Sequence, residues 1–250
     1  MRNLKVGIIA DIHGNQPALQ AVLERISNAD ALICAGDVVG YYADINEVCD
    51  LLRNTDARVI RGNHDAYVIG ELQPNPQHRE AYRTDWIREH LDPHHLRWLR
   101  SLPTEVCFHW GRHTLRVRHA CPWDEETYLY ADSIRLSEVS LPLHEILILG
   151  HTHHPMVIQS GRGLILNPGS VGQPRDWNPS ACYALFDVES GKVELHRVPY
   201  DFEGLQRRLS SLHWESQSIR ILSRTRQAAQ LTHIQEDQDT QSVVPILNAE

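Results

Sequence analysis

No Cys-x-x-Cys spacing occurs in this chain, and its cysteines, Cys34, Cys49, Cys107, Cys121 and Cys182, form an odd set. That argues against a disulfide framework and points to a reducing compartment. Long apolar runs are missing as well. Val6 to Ala10 is far shorter than a signal-peptide core or a membrane span, and Asp11 follows at once. No repeat at solenoid spacing is present. Positive charge is in deficit, with 24 Lys and Arg against 32 Asp and Glu and a net charge of −8. With no basic aromatic groove either, stable binding to bulk nucleic acid is not expected. The expectation is a soluble cytoplasmic protein with no membrane partner, and the sequence sets no oligomeric state.

What is present suffices for a folded body. Of 250 residues, 42% are hydrophobic, enough for a sizeable core in one large domain or two small ones. Leu4 to Ala10 is compact, apolar and rich in β-branched residues, as in a strand buried on both faces. A polar turn spans Asp11 to Asn15, and Pro17 opens a helical stretch with Leu19, Val22, Leu23 and Ile26 apolar. Ala31 to Ala35 reads as a second strand, Val48, Leu51 and Leu52 mark a second helix, and Arg58 to Ile60 a third strand. Two β-α units in succession imply parallel pairing.

Residues 66–103 read differently, as polar helices broken at Pro74, Pro76 and Pro93. Trp86, Leu91, Leu96 and Leu99 give this helical insertion an apolar face. It is either a lid over a site or a layer packed against one flank, the second being favoured. From Glu105 the pattern turns to hairpins around Gly111, Gly161 and Gly191, with Glu145 to Leu149 a further buried strand. The sum predicts an α/β fold, a four-layer αββα sandwich with two mixed β-sheets, in one domain over residues 1–200. Residues 201–250 are expected to be a helical extension ending in a flexible tail around Gln235 to Thr240.

Short phrases of ligand-bearing residues recur in order: Asp11-Ile12-His13, Gly36-Asp37, Gly62-Asn63-His64-Asp65, His119 and Gly150-His151-Thr152-His153. Taken singly they say little, since Asp-x-His reads as a solvated turn and Gly-Asp as any turn. Asp11, Asp37, Asn63 and His151, however, all fall where a strand ends, which is where open α/β sheets bind ligands. Residues two apart in extended chain point the same way, so Asp11 with His13, and His151 with His153, can aim at one point. Gly36, Gly62 and Gly150 each precede ligands and let the backbone turn closely around a cation. His94, His95, His109, His113, His144 and His154 match no pattern and are read as surface or packing residues.

With these residues in hand, the chain resembles the calcineurin-like metallophosphoesterases over residues 4 to 200. Gly36-Asp37-Val38-Val39-Gly40-Tyr41 and Asn167-Pro168-Gly169-Ser170-Val171-Gly172 look like the small bacterial and archaeal phosphodiesterase branch. The resemblance implies that Asp11, His13, Asp37 and His153 hold one metal, and that Asp37 bridges to a second completed by Asn63, His119 and His151. It makes His64 the catalytic histidine beside the substrate, oriented by Asp65, with Asn63 also near the substrate.

Three departures stand out. Gly40-Tyr41 replaces the Asp-Arg pair of the protein phosphatases. Ala120 follows His119 where glycine is usual, making His119 the least secure ligand. Tyr42 stands where a smaller residue is common, which would narrow the site. Arg175 is either a substitute phosphate grip or a surface salt bridge.

The ligand chemistry suits a phosphate ester. Two cations roughly 3.5–4 Å apart hold a bridging hydroxide and clamp phosphate oxygens. With two carboxylates the site keeps a formal charge of about +1, which attracts an anion into an acidic protein. Four imidazoles, two carboxylates and one amide favour two divalent transition-metal ions over Mg2+ or Ca2+. Mn2+ is the first choice, with Fe, Zn2+, Co2+ and Ni2+ as alternatives. The expected function is a phosphodiesterase acting on a small phosphorylated or nucleotide-like substrate by attack of the bridging hydroxide. The runner-up is a phosphomonoesterase, either a protein phosphatase or a dinucleoside polyphosphate hydrolase. A non-catalytic scaffold of the same fold is disfavoured because every ligand and His64 are retained.

Overall fold

Alternation divides the first strand between two apolar layers. In the computed structural model, which describes residues 4–214 and 216–225, β1 is Lys5–Ile9. Val6, Ile8 and Ala10 join the layer between the sheets, while Ile9 joins the layer under the helices. Helix α1 (Gln16–Arg25) starts where the Asn15 side chain accepts from the Ala18 N–H at 3.1 Å, with proline in its first turn. Strand β2 (Ala31–Cys34), helix α2 (Ile45–Asn54) and strand β3 (Arg58–Val59) follow. The insertion supplies α3 (Asn63–Ile69), α4 (Arg79–Tyr82), α5 (Thr84–His90) and α6 (Pro93–Ser101).

The second half holds β4 (Glu105–Trp110), β5 (His113–Arg118), a 3-10 turn over Ile134–Glu138, β6 (Glu145–Ile148), β7 (Met156–Ser160) and β8 (Gly163–Asn167). Strands β9 (Ala181–Asp187) and β10 (Val193–Val198) return to the first sheet, and α7 (Phe202–Ser211) and α8 (Ser216–Ile221) come last.

Both sheets are five-stranded and mixed, in the orders β10-β9-β1-β2-β3 and β4-β5-β6-β8-β7. β1, β2 and β3 run parallel, as the successive β-α units require. β5-β6-β8 is also parallel, while β4-β5, β7-β8 and β9-β10 are the expected hairpin pairs. Val6, Ile8 and Ile33 of the first sheet meet Leu115, Ile146 and Leu166 of the second in the layer between them. Helices cover the outer face of the first sheet. Over the second, the packed layer is drawn from Cys121, Leu129, Val139 and Leu141, in a segment whose helix is the single 3-10 turn.

The insertion lies mostly against the flank. Leu91 and Leu99 are buried, and Trp86 and Leu96 partly buried, in the same cluster as Val22 and Leu52 of α1 and α2. Helix α7, through Leu205 and Leu209, and Trp214 and Leu222 on either side of α8 pack against Tyr41 and Tyr42. No helix among the described residues is long and apolar enough to cross a membrane. The expected tail around 235–240 lies outside the described residues.

Candidate metal centre

Asp11, Asp37, Asn63, His119 and His151 follow the carboxyl ends of β1, β2, β3, β5 and β6. The two-residue spacing works through a different backbone from the extended one expected. Asp11, His13, Asp37, His151 and His153 all have positive φ, at 56°, 53°, 56°, 66° and 62°. Each such residue costs roughly 1–2 kcal/mol in a free chain, so the surrounding structure has to hold it. Bonds between the loops do so. The N–H groups of Asp11, Ile12 and His13 donate to the carbonyls of Gly36, Asp37 and Asp37 at 3.0, 2.9 and 3.0 Å. The His151 N–H donates to Asp11 Oδ1 at 3.0 Å. The Asn167–Gly172 phrase braces the same loops: Asn167 Nδ2 donates to the Gly150 carbonyl at 2.5 Å and the Ser170 hydroxyl to the Asp11 carbonyl at 2.7 Å.

All seven proposed ligands converge, and none is more than 4% exposed. Donor atoms of Asp11, His13 and His153 lie within 4.8 Å of one another, as do those of Asp37, His119 and His151. Asp37 Oδ2 joins the sets, 3.2 Å from His119 Nε2 and 3.6 Å from His13 Nε2. Asn63 Oδ1 is 3.0 Å from both His119 Nε2 and His151 Nδ1. His119 is thus placed with the rest despite the alanine after it.

Each imidazole gives its other nitrogen to a backbone carbonyl. His13, His119 and His153 donate through Nδ1 to Val39, Ala35 and Gln173 at 3.3, 2.7 and 2.6 Å, and His151 donates through Nε2 to Glu126 at 3.0 Å. A carbonyl only accepts, so these contacts fix the tautomers and turn the second nitrogen of each ring inward.

A divalent cation fits what results. His13 Nε2 and His153 Nε2 face each other at 3.0 Å, and burial pushes both rings well below the ordinary histidine range. Two unprotonated nitrogens therefore stand lone pair to lone pair. Asp11 Oδ2 and Asp37 Oδ2 are buried without a well-aligned hydrogen bond, an arrangement that is costly unless a positive charge compensates it. Burial lifts the Asp11 carboxyl to about 7. Asp37 stays ionised, because its histidine neighbours outweigh its burial. His119 alone is raised, to about 10: burial opposes its charge, but the Asp37 carboxylate outweighs it.

His64 opens α3 beside this pocket, its N–H donating to Asp37 Oδ1 at 2.9 Å. Burial lowers its ring to about 4. Asp65 does not touch that ring. Its carboxylate accepts from the N–H groups of Gly62, Val38 and Val39 at 3.0, 3.3 and 3.1 Å, so it positions His64 through the backbone rather than orienting the imidazole. Close approach explains two glycines. A Cβ on Gly62 would lie 2.1 Å from Asp37 Oδ1. One on Gly40, whose φ is +121°, would lie 2.8 and 2.9 Å from the Nδ1 atoms of His64 and His13.

The residue narrowing the site is Tyr41, not Tyr42. With φ at 54°, Tyr41 turns its ring inward, 4.8 Å from both His13 and His64. Tyr42 points away and donates to the Ser218 carbonyl at 3.2 Å. Among the described residues Arg175 forms no salt bridge. Its guanidinium reaches the Tyr41 hydroxyl at 2.9 Å and Gln173 Oε1 at 3.0 Å, while the neighbouring Asp176 pairs with Arg197.

Around the mouth stand residues that the sequence did not single out. Tyr82 lies edge-on to His64 at 4.4 Å, and Tyr128 stacks on His151 at 4.0 Å. The Tyr67 hydroxyl accepts from Asn63 Nδ2 at 3.2 Å and donates to Glu126 Oε1. A tyrosine inside a polar stretch was the available signal.

Residues 4–191 match the model of the calcineurin-like phosphoesterase superfamily domain. The chain is similar to the crystal structure of a metallophosphoesterase from Sphaerobacter thermophilus, with 31% identity and a TM-score of 0.75 over 89% of this chain and 99% of that one. It is 31% identical over 216 residues to an uncharacterized protein of Methanocaldococcus jannaschii, covering 79% of this chain and 88% of the relative. It is 27% identical over 197 residues to the phosphodiesterase YfcE of Escherichia coli, covering 74% and 88%.

Proposed function

The chain belongs to the calcineurin-like phosphoesterase superfamily and is a metal-dependent phosphoric ester hydrolase; from that premise we propose a dinuclear phosphodiesterase acting on a small or nucleotide-like substrate. In this reading Asp11, His13, Asp37 and His153 hold one divalent ion, and Asp37, Asn63, His119 and His151 the other. The supporting observation is the pair of donor sets joined through one oxygen of Asp37. Imidazole-rich ligation favours Mn2+, with Fe, Zn2+, Co2+ or Ni2+ able to replace it. Bound there, the ions supply a nucleophilic water oxygen at neutral pH and a clamp on the phosphate oxygens.

The chain's own residues supply the rest. Arg175, whose hydrogen-bond partners are neutral, offers its charge to a phosphate oxygen. A single such cation suits a diester monoanion better than a monoester dianion, and YfcE is named a phosphodiesterase. Buried His64 is neutral at neutral pH. It gains a proton for the leaving oxygen when phosphate brings negative charge beside it. Free cysteines suit the proposed cytoplasmic setting.

The test is hydrolysis of bis-p-nitrophenyl phosphate against p-nitrophenyl phosphate with Mn2+, before and after chelation. Faster, chelator-sensitive diester cleavage is expected. Preference for the monoester would make the protein a phosphomonoesterase, and absence of turnover with any of these five metals would leave a scaffold of the same fold.

A further inference from the structure

Tyr128 is 42% exposed beside a pocket whose ligands are all buried. Its loop is tightly held. The Asp124 carboxylate accepts from the Glu126 and Thr127 N–H groups at 2.9 and 2.6 Å and from the Thr127 hydroxyl at 2.6 Å. Leu129 is buried at 1% exposure among the side chains over the second sheet, and the Tyr130 N–H donates to Ser133 Oγ at 2.9 Å.

An exposed tyrosine alone says little, but this ring is fixed on both sides and aimed. It stacks on His151 with centroids 4.0 Å apart and planes at 25°. Tyr130 stacks with it in turn, centroids 5.8 Å apart and planes within 6° of parallel. Arg175 lies alongside Tyr128 and also reaches the Tyr41 hydroxyl beside His64. A planar aromatic surface and a guanidinium thus stand together at the edge of the ligand pocket.

We propose that Tyr128 and Tyr130, with Arg175 beside Tyr128, form a subsite for a planar aromatic group esterified to the phosphate. The substrates are then aryl or nucleoside phosphate esters rather than alkyl ones. Ring stacking on a fixed tyrosine is selective at little entropic cost, because few rotors have to be frozen. The Arg175 charge holds the phosphate that joins the ring to the metals. The inference deepens the phosphodiesterase reading and rests on it only for the presence of phosphate at the pocket.

Calorimetry on the full chain with Mn2+ tests the subsite without turnover. The paired ligands are phenyl phosphate against ethyl phosphate, and adenosine 5′-phosphate against ribose 5-phosphate. The ring-bearing member of at least one pair binds about tenfold or more tighter, the range of one stacked ring; which pair shows it tells aryl from nucleoside. Tyr128→Leu brings that ratio close to one, and Tyr128→Phe retains it. Equal affinities in both pairs, or a ratio unchanged in Tyr128→Leu, overturn the subsite. Ring preference without any diester hydrolysis would uphold it while the phosphodiesterase reading falls.

Discussion

At the floor of the site, Asp11, His13, Asp37, His151 and His153 sit buried in left-handed backbone, the histidines oriented by main-chain carbonyls and the carboxylates by main-chain N–H groups. At the rim, Tyr41, Tyr82, Tyr128 and Arg175 come from separated segments and meet mainly through side-chain contacts. The floor is overdetermined, because each ligand is fixed by its own backbone and by a neighbour's. Apart from the tightly held Tyr128 loop, the rim has fewer constraints, so it can vary in shape while the floor stays the same. Floor changes should therefore alter metal binding and turnover, and rim changes the choice of ester.

The largest effect should come from His64→Ala, which keeps metal content but lowers turnover of alkyl-leaving-group esters by roughly 10²–10⁴. p-Nitrophenyl esters, which need no proton on the departing oxygen, lose much less; equal losses on both classes would remove the general-acid role. Next is Asp37→Asn. Removing one partner of a buried charge cluster costs about 3–5 kcal/mol, so metal affinity should fall on the order of 10²–10³ across both positions. Metal analysis finding two tightly held ions in that variant would show that Asp37 does not join the sets.

Proton competition gives the third test. Without metal, His119 carries a proton up to about 10 and Asp11 up to about 7. Entering cations must displace those protons, so affinity rises with pH. From pH 7 to 9 the remaining proton is that of His119, and affinity should gain about tenfold per pH unit. Titrations in metal buffers measure this slope, and a flat profile would mean that metal binding displaces no proton from His119. The smallest effect tests the boundary of the comparison. Tyr67 is a rim ring whose hydroxyl serves the floor, holding the Asn63 amide toward Glu126. Tyr67→Phe should weaken metal retention by about 1 kcal/mol, roughly fivefold, without changing the ring preference of bound esters. A shift in that preference with metal retention intact would place Tyr67 wholly in the rim.

The same division explains what the sequence disclosed. The ordered phrases and the resemblance they carry brought forward Asp11, His13, Asp37, Asn63, His119, His151 and His153 as candidate ligands, and in the structure these side chains lie together. The expected route was wrong in detail, since alternation along an extended strand does not describe residues at positive φ. The turn also places Tyr41, rather than the Tyr42 expected to narrow the site, beside His13 and His64. Asp65 was misread because a carboxylate beside a histidine suggests a ring partner, whereas three backbone N–H groups claim it. The parallel core was legible from apolar runs and connecting helices. The rim was not, because a tyrosine that packs and a tyrosine that lines a mouth look alike until the chain is folded.

The packing of α7 and α8 has a consequence for how such an enzyme diverges. The Trp214 indole donates to the Tyr41 carbonyl at 2.6 Å, and Ser218 receives the Tyr42 hydroxyl. A chain trimmed after β10 would keep every candidate cation ligand and lose the Trp214 indole behind Tyr41. On the proposed reading α7 and α8 therefore act on the choice of ester through Tyr41, and substitutions there should change that choice while leaving the candidate ligands in place.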